Sequence, residues 1–305
     1  MPIFRLIPAA KDYIWGGTRL KTEYGKTSST EKIAETWELS CHHDGESIIE
    51  QTGEKLSEYL HENPAAAGEN IKRFSEFPVL IKLIDAARDL SVQVHPNDDY
   101  ARRFENQLGK TEMWYILSAD EGAYLYCGFA RDVSKEEFLR AVSENTLCTL
   151  LKKVYVKPGD VVFIPSGTIH AICAGIVLCE VQQSSNVTYR VFDYGRVDAN
   201  GKPRALHVET ACDVVDFSAA KPAPDFGGHL GKCDYFIADK LVCNGKADEF
   251  ADEKSFVSLV IVSGSGSAES ADARLNFSKG DSIFIPASSG KITLSGNFTA
   301  IKTTV

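Results

Sequence analysis

The segment 159–170, which reads G-D-V-V-F-I-P-S-G-T-I-H, constrains the fold of this chain more than any other. Gly159 and Asp160 form a turn into the apolar strand 161–164. The following Pro-Ser-Gly predicts a tight hairpin turn. His170 then stands on the returning strand with its side chain directed inward. The pattern predicts two strands joined by a turn, with an imidazole at the start of the second strand.

A weaker copy of this segment lies 121 residues further along, where 280–286 reads G-D-S-I-F-I-P. A repeat of this kind predicts a duplicated barrel, although G-D-x-x-x-I-P is also a common way to enter and leave a strand. In the alignment His170 falls opposite Lys291, and Glu112 falls near Phe256. We therefore expect the second barrel to lack metal ligands.

Three more polar side chains are placed so that they can face the same interior as His170. Gln93 and His95 are two apart in a strand-like run, so both leave the same face of the strand. Glu112 comes just before the apolar run 113–117. One carboxylate, two imidazoles and an amide oxygen form a divalent-metal shell that suits zinc, with Fe(II), Co and Mn as alternatives.

Composition excludes several classes of protein. The chain has 305 residues and a net charge of −9, which argues against a nucleic-acid surface but leaves room for a small anionic substrate. It contains no apolar run long enough to span a membrane, and its start does not resemble a secretory signal. The eight cysteines include no C-x-x-C pair and read as reduced thiols. We expect a cytoplasmic protein.

The remaining patterns predict short strands, with helices in two regions. Small helices are expected near 55–75, and a larger helical insertion at about 134–153 begins with a capping box. The Pro/Ala/Gly-rich stretch 221–228 reads as a linker. The predicted fold is therefore mainly β, with a small helical insertion. Residues 1–220 form the catalytic unit and residues 229–305 a metal-free unit.

A resemblance makes this prediction more specific, because it implies a bicupin of two jelly-roll barrels with a small helical insertion. The segment 159–170 fits the second cupin motif, G-x5-P-x-G-x-x-H, at every fixed position. Longer motifs resemble the short bacterial type I mannose-6-phosphate isomerases, which are zinc-dependent cupins that interconvert mannose 6-phosphate and fructose 6-phosphate. The likeness covers most of 8–215 and is weak beyond about 220. Its motifs are W-G-G at 15–17, A-E-T-W-E-L-S at 34–40, V-Q-V-H-P-N-D-D-Y at 92–100, G-K-T-E-M-W-Y at 109–115 and V-Q-Q-S-S-N-V-T-Y-R-V-F-D-Y-G-R at 181–196.

The resemblance also implies a set of site residues. It places the active-site arginine at Arg190 and a substrate-facing lysine at Lys110. The chain is short at its carboxyl end, so substrate contacts made by the extra segments of longer relatives do not transfer. One zinc ion per chain is implied, bound by His95, Glu112 and His170, with Gln93 as a fourth ligand in some members.

Other roles rest on the residues alone. Arg190 can stabilise an enediolate oxygen, or it can form a salt bridge to Asp193 or Asp216 on the barrel rim. The proton carrier is left open among Lys110, a zinc-bound water and Glu180. The substrate phosphate is expected to contact Arg196 or Lys202. The histidines treated as surface or structural residues are His42, His43, His61, His207 and His229.

Two other functions stay open at this point. A cupin dioxygenase would use Fe(II) with a histidine and carboxylate shell, and a sugar-sensing cupin would have no catalytic activity. The expected partner is a small sugar phosphate, without nucleic acid or membrane. The sequence does not predict an oligomeric state.

Overall fold

A computed structural model describes residues 2–197 and 201–305 of the protein. Among these residues, no helix combines the length and the apolar character needed to span a membrane. The helices are α1 Arg19–Tyr24, α2 Leu56–Glu62, α3 Asp98–Phe104, α4 Lys135–Ser143 and α5 Val208–Val214, with 3-10 turns at Pro64–Ala67, Glu69–Arg73 and Leu147–Thr149. The strands are β1 Phe4–Ile7, β2 Ala9–Lys11, β3 Glu35–Leu39, β4 Ile48–Ile49, β5 Val79–Ala86, β6 Val92–Val94, β7 Glu112–Ala119, β8 Tyr124–Phe129, β9 Leu151–Tyr155, β10 Val161–Ile164, β11 His170–Ile172, β12 Ile176–Gln183, β13 Tyr189–Phe192, β14 Gly231–Lys232, β15 Ile237–Ala251, β16 Val257–Glu269, β17 Arg274–Ser278, β18 Ser282–Ile285 and β19 Gly290–Thr304.

The first barrel consists of two antiparallel sheets that share a core. In the described chain, sheet A has the strand order β10-β7-β12-β5-β3-β2, and sheet B has the order β13-β6-β11-β8-β9. Ile116 and Leu178 of sheet A pack with Leu125 and Ile172 of sheet B in one buried cluster. This apolar floor supports the polar residues described below.

Sheet A is covered on both faces, and this explains the continuous apolar runs in its sequence. Every residue of β5 and β12 is buried. The outward side chains of Leu83 and Val181 pack against Phe284 and Ile301 of the C-terminal strands. A strand with two buried faces needs no polar alternation, and this accounts for the sequences of β5 and β12.

The C-terminal strands form sheet C, in the order β14-β15-β19-β16-β18-β1-β4, with β17 paired to β16. Its own core includes Leu259, Ile283 and Phe298. The first strand of the chain belongs to this sheet, because β1 pairs with β18 and places Phe4 opposite Phe284. The division into units 1–220 and 229–305 stays a prediction, and the hydrogen-bonded sheet crosses it.

The internal repeat has a structural counterpart in β10 and β18. Gly159 and Gly280 precede these strands with φ of 92° and 95°. Asp160 and Asp281 each accept a hydrogen bond from the backbone amide three residues earlier, at 2.9 and 2.8 Å. Lys291, the counterpart of His170, is exposed and pairs with Asp248 at 2.9 Å. Within the described residues, the second copy contributes nothing to the metal-ligand clusters.

The helical insertion is shorter than predicted. Ser134 caps α4 as expected, accepting from the Glu137 amide at 3.1 Å. The helix ends because Asn145 adopts a left-handed φ of 59°, and the Thr146 amide donates to the Ala141 carbonyl at 2.8 Å. Residues 151–155 form strand β9 against β8. The prediction of a helix to residue 153 is therefore wrong, whereas the small helices near 55–75 are confirmed.

The turn that follows β10 is not the predicted hairpin. β10 pairs with β7 in sheet A, whereas β11 pairs with β6 and β8 in sheet B. Residues 165–169 therefore carry the chain from one sheet to the other. Gly167 adopts a φ of 83°, and its amide donates to the His95 carbonyl at 2.8 Å. His170 nevertheless lies inside the barrel, fully buried.

Candidate metal and substrate site

Two histidines and a glutamate from three strand ends meet inside the first barrel. One ligand atom from each of His95, Glu112 and His170 lies within 4.8 Å of the others. His95 Nε2 is 3.2 Å from Glu112 Oε1, and His170 Nε2 is 3.9 Å from Glu112 Oε2. Tetrahedral zinc holds such atoms roughly 3.3–3.6 Å apart. Among the described residues, Glu112 Oε2 is buried with no hydrogen-bond partner, and a bound cation would satisfy it.

Each histidine is oriented by a backbone carbonyl. His95 Nδ1 lies 2.8 Å from the Val187 oxygen, and His170 Nδ1 lies 2.8 Å from the Thr168 oxygen. A carbonyl can only accept, so each Nδ1 carries the proton and each Nε2 lone pair is left for a metal. Burial lowers the pKa of both imidazoles, that of His95 to about 3. The site therefore offers two neutral imidazoles to a cation.

Gln93 lies beside these ligands. It is the register partner of His170 across β6 and β11, and its Nε2 is 3.4 Å from His170 Nε2. Rotation of the amide by half a turn would bring Oε1 to the same place. The geometry therefore puts Gln93 next to the triad, and its coordination of a metal stays a prediction.

Lys110 is buried against the triad. Its ammonium group donates to Glu112 and lies 3.6 Å from Glu180 Oε1. Burial alone would raise the pKa of Glu112, but the Lys110 charge outweighs it and holds this pKa well below the usual range. Burial and the Glu112 charge raise the pKa of Glu180 to about 7. Both residues, predicted from the sequence as candidates, lie together beside the ligands.

Further charges continue along the inner face of sheet A. Glu180 and Lys82 are register partners on β12 and β5. Lys82 Nζ lies 3.4 Å from Glu35 Oε2, and the Trp37 indole N–H donates to the same oxygen at 2.8 Å. All three charged residues are at least nine-tenths buried. Buried groups of this kind suit the recognition of a polar ligand such as a sugar.

A cavity of about 300 Å³ opens above these groups, at the small end of the range for small-molecule sites. Gln93, Lys110, Glu112, Glu180 and Arg190 lie on its wall as predicted candidates. The sequence analysis missed several wall residues, which are Tyr13, Glu35, Lys82 and Arg204, and it assigned His207 to a surface or structural role. Of these, Lys82 could have been identified because it is the only charged residue within the apolar run 79–84.

Arg190 projects from β13 onto this wall. Its Nε donates to Ser91 Oγ at 3.1 Å, and its Nη1 donates to the Ala205 carbonyl at 3.2 Å. Burial and the nearby Arg204 lower its pKa. In the described chain no carboxylate forms an ion pair with Arg190, because Asp193 is engaged by other arginines. The salt bridge to Asp193 or Asp216 is thus not formed.

The positions of the two residues expected at the phosphate differ from that of Arg204. Arg196 donates to the Asp193 carboxylate and to the Asp89 carbonyl. Lys202 is exposed on the following loop. Within the part of the chain that the structure describes, neither belongs to the cavity wall, whereas Arg204 does.

Three of the five remaining histidines line the cavity or belong to a second ligand cluster. His207 lines the cavity, and its Nδ1 accepts from the Arg190 amide at 3.2 Å. His42, His43 and Asp44 form a second cluster with ligand atoms within 4.8 Å, but two of the three side chains are exposed. The buried triad is therefore the stronger candidate for a resident metal.

Comparisons with known proteins agree with this geometry. The family model described as phosphomannose isomerase type I, catalytic domain, matches residues 3–124, and the mannose-6-phosphate isomerase cupin domain matches 228–305. The second match covers the region where the motif resemblance was weak. The cupin-type β fold is thereby confirmed.

Individual relatives match over nearly the whole chain. A probable mannose-6-phosphate isomerase, GmuF of Bacillus subtilis, is 35% identical over 97% of this chain and 96% of its own. Mannose-6-phosphate isomerase ManA of the same organism is 36% identical over 95% and 94%. The crystal structure of the mannose 6-phosphate isomerase from Bacillus subtilis superposes with a TM-score of 0.91, at 33% identity and full coverage of both chains.

Proposed function

This chain belongs to the type I phosphomannose isomerase family, and from that membership we propose that it interconverts mannose 6-phosphate and fructose 6-phosphate with one zinc ion per chain. The observation that carries the proposal is the buried triad of His95, Glu112 and His170 beneath a polar cavity. Two neutral imidazoles and a carboxylate are donors that zinc prefers. Gln93 is proposed as a fourth ligand. When bound, the ion supplies Lewis acidity toward the oxygens of the sugar.

The reaction requires a proton to move between C2 and C1 of the open-chain sugar. We propose Lys110 and Glu180 as the groups that take and return it, because both lie on the cavity wall beside the triad. A proton carrier must come within hydrogen-bond reach of both carbons. Lys110 Nζ and Glu180 Oε1 lie 3.6 Å apart. One of these groups can therefore hold the proton while the other balances the negative charge that the proton leaves on the sugar.

Negative charge develops on a sugar oxygen as the enediol forms. Arg190 is proposed to stabilise it, because its guanidinium is held by Ser91 and Ala205 without an ion-paired carboxylate in the described chain. A guanidinium held in place before the reaction stabilises such charge without reorganisation. Arg190 lines the same cavity as the buried charges of sheet A.

A coupled assay tests this function. Mannose 6-phosphate is added to the purified protein, fructose 6-phosphate is detected by a coupling enzyme, and dissolved oxygen is followed in parallel. We expect formation of fructose 6-phosphate with no oxygen uptake, and a much lower rate with unphosphorylated mannose. Oxygen uptake without fructose 6-phosphate would support the Fe(II) dioxygenase instead, and sugar binding without turnover would support a sensor.

We further propose a cytoplasmic location. Each cysteine of the chain lies in the described part, and each is a free thiol. Unpaired thiols are typical of a reducing compartment. Exclusive recovery of the protein from an oxidising compartment in a cell-fractionation experiment would contradict this location.

A further inference from the structure

Asp193 organises a cluster of arginines on one wall of the cavity. Arg204 grips its carboxylate with two parallel bonds, Nε to Oδ2 at 2.8 Å and Nη2 to Oδ1 at 2.5 Å. Arg196 donates to the same Oδ1 and to the Asp89 carbonyl. Asp193 is only 6% exposed. A two-pronged pair of this kind fixes the plane of a guanidinium as well as its position.

The backbone around Arg204 is fixed as well. The Arg190 side chain donates to the carbonyl of Ala205, the residue after Arg204. The His207 amide donates to the Arg190 carbonyl at 2.7 Å. The segment that carries Arg204 is therefore tied to β13, the strand that also carries Arg190. Asp193 follows β13 directly, so one short stretch of chain positions both arginines.

The charges in this cluster do not cancel. Within the described chain, Arg196 and Arg204 share the single Asp193 carboxylate and Arg190 has no ion-paired carboxylate, which leaves an excess of positive charge in this cluster. Arg190 and Arg204 both line the cavity, and their mutual repulsion contributes to the lowered pKa of Arg190. Arg204 Nη1 has no hydrogen-bond partner among the described residues. A doubly charged phosphate monoester would relieve the repulsion between Arg190 and Arg204 and accept a hydrogen bond from Arg204 Nη1.

We propose that Arg204 binds the phosphate group of the substrate and that Asp193 is the positioning residue that aims Arg204 at it. This inference rests on the proposed function, because it assigns the phosphate end of that substrate. Arg196 takes a supporting part, because its bonds to Asp193 and Asp89 hold the carboxylate in place and keep its own guanidinium off the wall. Specificity for a phosphorylated over a free sugar then resides in Arg204.

A hexitol 6-phosphate tests the assignment without turnover, since it carries the phosphate but has no carbonyl to isomerise. It is titrated calorimetrically into the wild type and into Arg204→Ala, with the unphosphorylated hexitol as a second titrant. We expect Arg204→Ala to weaken the binding of the hexitol phosphate by about 10- to 100-fold, because a charge-assisted contact is lost. The affinity for the unphosphorylated hexitol should not change. Zinc content and melting temperature are measured on the same samples.

Arg131→Ala is the matched control, because it removes one arginine charge from an exposed pair with Glu137. This control should bind the hexitol phosphate like the wild type. Equal affinity of Arg204→Ala and the wild type would overturn the inference and leave the isomerase proposal standing. A wild-type protein that does not bind the hexitol phosphate would overturn both.

Asp193→Asn tests the positioning role by the sign of its effect. If Asp193 acted only through its charge, removing that charge would tighten the binding of an anion. A positioning role predicts weaker binding, because one amide oxygen cannot hold the Arg204 fork. In the Arg204→Ala background, Asp193→Asn should have no further effect on hexitol phosphate affinity. Tighter binding in the single variant, or a continued loss in the double variant, would contradict the positioning role.

Discussion

Replacement of Arg190 by alanine should affect the chemical step far more than substrate capture. Arg190 lies on the cavity wall with two hydrogen bonds to the protein and no ion-paired carboxylate in the described chain. Its charge is therefore available to an oxygen that becomes negative only during enolisation. Loss of one such donor typically lowers kcat by on the order of 10²–10³. We expect this loss at nearly unchanged KM.

The structural cost of the same change should be modest. The two bonds that are lost, to Ser91 Oγ and to the Ala205 carbonyl, belong to a half-buried group. At about 0.5–1.5 kcal/mol for a typical hydrogen bond, the free energy of unfolding should fall by about 1–3 kcal/mol. Arg190→Lys should recover only part of kcat, because an ammonium group cannot reproduce the planar fork of the guanidinium.

Steady-state kinetics, zinc content and thermal unfolding on both variants decide the matter. Normal zinc and a collapsed kcat would support the catalytic role. An unchanged kcat with a raised KM would show that Arg190 only binds substrate. Unchanged kcat and KM with a lower melting temperature would refute the reasoning altogether and leave a structural arginine.

Three further outcomes are expected. Lys26→Ala should lower the free energy of unfolding by about 3–5 kcal/mol in urea denaturation, because Lys26 Nζ lies 2.6 Å from the fully buried Glu38 carboxylate. The Lys26→Met/Glu38→Leu double variant should recover most of that loss. A double variant as unstable as Lys26→Ala would show that the loss does not come from an unpaired buried charge. Lys291→Ala should leave zinc content and kcat at wild-type values, since Lys291 is exposed in sheet C and paired with Asp248; a loss of either would contradict a metal-free second barrel. Gln93→Ala should reduce zinc affinity less than the loss of an imidazole ligand, because a neutral amide is the weaker donor, and equal losses in a chelator competition would contradict that ranking.

The metal triad could be predicted because each of its residues sits in a local pattern. Gln93 and His95 share the period of a strand, and the turn before His170 has a fixed spacing of glycine and proline. Glu112 could be predicted from its position immediately before an apolar strand. The two-residue period of a strand fixes which side chains share a face without reference to the rest of the chain.

The substrate wall could not be predicted in the same way. Arg204 reaches the cavity because Asp193 holds it there, and this contact depends on how a loop folds back along β13. Arg196 is nearer to Asp193 in sequence than Arg204 is, but its guanidinium is held away from the cavity by bonds to the Asp193 carboxylate and the Asp89 carbonyl. The sequence shows the three arginines but not which two of them face inward.

The two fold errors have similar causes. The apolar residues after Asn145 continue a helical period, but the left-handed conformation of Asn145 ends the helix. The residues that follow pair with β8 as strand β9. The Pro-Ser-Gly turn is compatible with a hairpin or with a crossing between sheets. The choice was made by pairing of β11 with β6 and β8, which lie far away in sequence.

The central claim is that His95, Glu112 and His170 hold the metal on which isomerisation depends. Its most direct test is the zinc content and the turnover of mannose 6-phosphate, measured together on wild-type protein before and after chelation, after zinc is added back, and on His170→Ala. We predict about one zinc per chain, loss of activity on chelation, recovery with zinc, and an inactive His170→Ala protein with far less than one zinc. A His170→Ala protein that keeps stoichiometric zinc and full turnover would contradict the account.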